Sequence, residues 1–165
     1  MPAPSYFVGE KMPVDWVDWN ECRTFCHELS AKAGVLIRLP SEEEWEYACR
    51  AGSAGPYAGT GNLADMGWCW ADGRFAPLEA GSKAPNAWGI HDMHGNVWEW
   101  CDTLYVDNRT DGARVIKGGS TLSGMRQCRS AYRAPGNPSL GFYNLGFRIV
   151  LDPCSHVPAA GEPSE

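Results

Sequence analysis

The chain has 165 residues, enough for one domain with a single sizeable core, and a formal net charge of −6. An acidic surface excludes generic phosphate-backbone binding, so no nucleic-acid partner is expected, while its carboxylates suit a hard cation. Nineteen glycines and eight tryptophans describe a loop-rich chain whose turns are pinned by large aromatics.

Residues 1–16 hold no charged segment followed by an apolar run, so no export leader is read. No apolar stretch is long enough to cross a bilayer. A cytoplasmic setting is the default, with the cell surface or an extracellular site as alternatives. Residues 1–12 are expected to be an N-terminal extension, residues 13–152 the domain, and residues 153–165, rich in Pro, Ala, Gly and Ser, a flexible tail.

The first predicted element is a helix over residues 20–33. Cys22, Phe25, Cys26, Leu29 and Ala33 recur at helical spacing, Asp18 or Asn20 can cap the start, and Gly34 can cap the end. A short strand, Val35 to Leu39, follows. Ser41 with Glu44 forms a capping box, Glu42 to Glu44 suit the helix dipole, and Gly52 is the expected stop. Residues 52–86 read as irregular, with Trp68 and Trp70 on one face if extended. The densest region is AWGIHDMHGNVWEWCDTLYV, residues 87–106, where Trp98 and Trp100 are expected in the core and His91 and His94 as polar loop residues. Strands are predicted at Arg114 to Lys117, Arg129 to Arg133 and Leu145 to Leu151. Helices early and short strands late argue for an α+β fold.

The seven cysteines, Cys22, Cys26, Cys49, Cys69, Cys101, Cys128 and Cys154, form no C-x-x-C pair, which argues against structural zinc. Most are expected to be small buried hydrophobes.

Five segments together resemble the formylglycine-generating-enzyme (sulfatase-modifying factor) superfamily. They are PVDWVDWNEC (13–22), RLPSEEEWEYA (38–48), PNAWGIHDMHGNVWEW (85–100), KGGS (117–120) and LGFRI (145–149), in the family's order. The resemblance implies a C-type-lectin-like fold with two helices, short twisted antiparallel strands and long irregular loops. It also implies that a family strand preceding the first motif is missing here, so that another chain could complete the sheet.

The resemblance implies calcium held by the carboxylates of Asp92 and Glu99 and the backbone carbonyls of Gly95 and Val97. The mixed oxygen set and the glycine turn suit that ion, and Asn96 is expected to brace the turn by local hydrogen bonds. Catalytic members hold copper with two cysteines after G-G-S, a set suited to a soft cation. Residues 121–133 here, TLSGMRQCRSAYR, contain only Cys128, which argues against copper. The family pattern instead suggests a Cys49–Cys128 disulfide, against two free buried thiols as the alternative.

Two functions follow. The first is a non-catalytic module that binds a protein or small-molecule ligand through residues 121–144. Its contact candidates are Thr121, Leu122, Ser123, Met125, Gln127, Tyr132, Leu140, Phe142 and Tyr143, some of them expected to pack inward instead. The layout resembles the variable proteins of diversity-generating retroelements. The alternative is an oxidoreductase of the formylglycine-generating type acting on a protein cysteine or a small molecule, with Cys128 as its catalytic residue. A copper or iron centre would serve it, iron needing two of His27, His91, His94 and His156 to converge with a carboxylate.

Overall fold

The computed structural model describes residues 5–107 and 111–156. Helix α1 runs Trp19–Ala33, with Asp18 as N-cap in a full capping box with Glu21 and Gly34 as the left-handed C-cap. Strand β1 is Val35–Arg38. Helix α2 is Glu42–Arg50, and the Ser41/Glu44 box is formed in both directions. The left-handed cap of α2 is Ala51 at φ 44°, one residue before the expected Gly52. A four-residue helix α3, Leu63–Met66, is the regular element of an otherwise looped stretch, and Trp70–Asp72 form a single 3-10 turn.

The strands follow. These are β2 (Trp98–Leu104), β3 (Arg114–Lys117), β4 (Ala134–Gly136), β5 (Leu145–Phe147) and β6 (Val150–His156). The strand expected at Arg129 to Arg133 is absent. Met125–Cys128 form a 3-10 turn there and the chain extends only from Ala134. Two sheets result, a four-stranded one in the order β4-β3-β2-β5 and a two-stranded ribbon of β1 and β6. Within the first, β2 pairs antiparallel with β3 and parallel with β5. The last expected strand is thus split between the two sheets. β6 continues to His156, past the domain boundary expected at residue 152, because its backbone pairs with β1.

The main core joins α1 (Trp19, Cys22, Cys26) to Ile37, Leu39, Trp98, Trp100, Ile116 and Leu145. Two buried indoles find carbonyl partners, Trp19 Nε1 donating to Cys101 O at 3.1 Å and Trp100 Nε1 to Val17 O at 3.0 Å. A second cluster sets Trp45 and Cys49 of α2 against Met93, Cys101 and Val115. A third gathers Tyr57, Leu63, Cys69 and Cys128. These clusters fix the two regions that matter for function, the loop of residues 91–99 and the joined loops at residues 13–16 and 138–144.

Candidate functional site

Asp92, Gly95, Val97 and Glu99 lie where the backbone turns into β2. Asp92 and Asn96 both take positive φ (58° and 64°), and Gly95 sits at 91°. A Cβ on Gly95 would stand 1.9 Å from the Trp68 carbonyl oxygen, so only glycine fits. Asn96 braces a distant segment rather than its own turn. Its side chain donates to Leu78 O at 3.0 Å and accepts from Leu78 N at 2.9 Å.

The loop forms one side of an open cleft of about 520 Å³, lined also by Val14, Gly81, His91, Phe147 and Arg148. Glu99 is almost wholly buried and both its oxygens are occupied. Arg148 donates to them at 2.5 and 2.6 Å, and Trp45 Nε1 donates to Oε2 at 2.5 Å. Asp92 Oδ2 accepts from Gly81 N at 2.7 Å, whereas the buried Oδ1 has no hydrogen-bond partner. Burial pushes the Asp92 carboxyl above its usual range.

Of the expected calcium set, both Glu99 oxygens are engaged by the Arg148 guanidinium and Asp92 Oδ2 by Gly81 N, which leaves Asp92 Oδ1 and the backbone carbonyls of Gly95 and Val97 as the oxygens to offer an ion that wants several. Among the described residues, no three His, Cys, Asp or Glu side chains converge in a metal-binding group.

Of the two readings for Cys49 and Cys128, the structure shows the free buried thiols and not the disulfide. Cys22, Cys26, Cys49, Cys69, Cys101 and Cys128 are free and buried, and the side chain of Cys154 lies outside the described residues. Cys49 and Cys128 do not pair because they belong to different clusters, with His94 reaching both. His94 Nε2 is 3.6 Å from Cys49 Sγ and accepts from Ala58 N at 3.0 Å, so Nδ1 carries the proton donated to Cys128 O at 2.8 Å. Burial and the charges nearby push the Cys128 thiol up to about 12 and burial pushes Cys49 to about 11, so both are protonated near neutrality. His94, expected as a polar loop residue, is fully buried. His91 instead faces the cleft with Nδ1 at 2.8 Å from Lys83 O, and His27 is exposed on α1. These three do not converge, and the side chain of His156 lies outside the described residues.

The nine contact candidates divide. Thr121 and Ser123 are buried, Ser123 bonding within the Ser120 turn. Leu122, Gln127 and Tyr132 are half-buried. The Gln127 side chain accepts from Gly124 N, and Tyr132 packs on the main core near Trp98. Met125, Leu140, Phe142 and Tyr143 are exposed.

Three of these, Leu140, Phe142 and Tyr143, share one short loop, and sequence reasoning missed its neighbours. Trp16, 48% exposed, donates its N–H to Phe142 O at 3.0 Å. Trp19 N donates to Pro138 O at 3.2 Å, so the two loops are stitched together. Tyr6 stacks on Trp16 at 6.0 Å and lies 6.4 Å from Tyr143, while Phe7 meets Tyr143 edge-on at 6.5 Å. The signal available was the aromatic pair Tyr6-Phe7 just ahead of a glycine turn.

The architecture is a C-type-lectin-like α+β domain. In a search of solved structures it matches Treponema denticola variable protein 1 with a TM-score of 0.81 at 26% identity, covering 88% of this chain and 76% of that one. It matches PvdO from Pseudomonas aeruginosa with a TM-score of 0.78 at 32% identity, covering 89% and 64%. The family model for the sulfatase-modifying factor enzyme 1-like domain matches residues 2–153, and the chain belongs to that family. It is 32% identical to the formylglycine-generating enzyme of Streptomyces coelicolor, over 85% of this chain and 52% of that protein. It is also 32% identical to the inactive C-alpha-formylglycine-generating enzyme 2 of Mus musculus, over 99% and 55%. The chain therefore spans about half the length of these curated relatives. Among the described residues, no helix is long and apolar enough to cross a membrane.

Proposed function

We propose that this domain is a non-catalytic recognition module whose binding face is the aromatic surface of Trp16, Leu140, Phe142 and Tyr143. The observation that carries this reading is that these large side chains stand exposed together on hydrogen-bonded loops. Rigid exposed aromatics supply contact area at low entropy cost, and such patches mark interaction sites. Trp16 holds a left-handed backbone (φ 59°), a conformation that a bulky residue keeps only when its surroundings over-determine it. The likeness to a variable protein and to an inactive formylglycine-generating enzyme supports the same reading. So does a 26% match to the chaperone protein LppX of Paenibacillus barcinonensis. A retroelement-diversified origin for residues 121–144 is the finer form of this proposal. The buried, protonated Cys128 favours it over the copper oxidase alternative.

The test is a peptide-library selection on the immobilised domain. Selected peptides are expected to bind the parent and Cys128→Ser alike, and at least tenfold more weakly the Phe142→Ser/Tyr143→Ser variant. Copper-dependent oxygen uptake with a cysteine peptide, lost in Cys128→Ser, would overturn the reading and establish the oxidase.

A further inference from the structure

The aromatic face carries a segment of its own chain. Asp15 is fully buried, and its carboxylate receives two consecutive backbone N–H groups, Tyr6 N at 2.5 Å and Phe7 N at 3.3 Å. Asp15 N donates in turn to Ser5 Oγ at 3.2 Å. These bonds read main chain and leave the identity of residues 6 and 7 to the rings. Both rings then sit on the platform, Tyr6 stacked on Trp16 with an interplanar angle of 28° and Phe7 edge-on to Tyr143.

The platform beneath is fixed independently of that strap. Trp16 is tied to Phe142, and a Cβ on Gly141 would lie 2.7 Å from the Trp16 carbonyl carbon, so the two loops are in direct backbone contact. The strap lies outermost. Tyr6 keeps 69% of its surface exposed, Val8 and Gly9 beyond it are exposed, and the chain returns through a turn in which Met12 N donates to Gly9 O.

We infer that Ser5–Phe7 is an internal stand-in for the ligand, and that the face takes a peptide segment bearing two adjacent aromatic residues, which displaces the strap and gives its own N–H pair to Asp15. This rests on the recognition reading above. It adds a ligand class and a mode of autoinhibition, since a tethered competitor lowers apparent affinity by the fraction of time it occupies the site.

The probe is a fluorescent peptide of residues 5–12 (SYFVGEKM), titrated by anisotropy into the full chain. The Tyr6→Ser/Phe7→Ser variant, which lacks the internal rings, is expected to bind it at least tenfold more tightly than the parent. Adding Trp16→Ala should remove binding, and a probe with serine at both aromatic positions should not bind. Equal affinity for parent and variant, or no binding to a variant whose thermal melt matches the parent's, would overturn the inference. If library peptides still need Phe142 and Tyr143 in that case, the stand-in fails and the recognition face stands. If they do not, both fail.

Discussion

His94 shows what burial does to a single side chain. Both ring nitrogens are engaged, the ring has no solvent contact, and burial lowers its pKa below the usual histidine value. The unfolded chain therefore takes up a proton near pH 6.5 that the folded chain refuses until a lower pH. Stability is full above that point and falls as pH drops below it. Thermal melts should show a decline below pH 6.5 that is shallower in His94→Asn; an unchanged slope would place the titration elsewhere.

Arg148 and Glu99 make the complementary case. Removing one partner of a buried pair leaves an uncompensated charge, so Arg148→Met should cost about 3 kcal/mol in denaturant unfolding. Calcium should leave the parent's melting temperature unmoved, but raise that of the variant, where Glu99 is released. The free thiols are checked chemically. Unfolded without reductant, the protein should take up alkylating reagent at both Cys49 and Cys128, whereas a pair that reacts only after reduction would contradict the structure. Neither His94 nor Arg148 could be placed from sequence. Their partners lie 34 to 57 positions away, and no local pattern reports such contacts.

At the level of elements, what was legible is what is local. The caps of α1 and α2 depend on residues three apart: the Ser41/Glu44 box forms as read, and Asp18, one of the two residues expected to cap α1, closes a second box with Glu21. Ser41→Ala should therefore lower unfolding free energy by about 1 kcal/mol, with α2 fraying first in hydrogen exchange. The Arg38–Glu44 ion pair closes over the same turn with bonds of 2.6 and 2.7 Å and holds the Glu44 carboxyl down to about 2. The misread segment, residues 129–133, has strand-like composition, but Ser130 N is drawn to Pro56 O and Tyr132 N to Arg129 O, which bends it into turns. Tertiary hydrogen bonding outweighed β propensity there. The strand expected over 145–151 broke for a similar reason, one half pairing with β2 and the other with β1.

For the whole molecule, the family was legible because its motifs mark buried, tightly constrained positions such as Trp45, Trp100 and Gly95. The recognition face was half legible. Phe142 and Tyr143 stood out as aromatics outside any periodic element, but Trp16 lies in a motif otherwise devoted to the start of α1. Whether an aromatic is exposed depends on what fails to cover it, which only the assembled fold decides. Among the described residues β1 and β6 pair only with each other, so their open edges are where a further chain could add a strand.

The central claim is that binding happens on the aromatic face and not around Cys128. Hydrogen–deuterium exchange with and without a library-selected peptide tests it most directly. Protection is expected in residues 13–16 and 138–144, with residues 118–130 unchanged and the displaced strap of residues 5–7 exchanging faster. Protection centred on residues 118–130, with the aromatic loops unaffected, would contradict it.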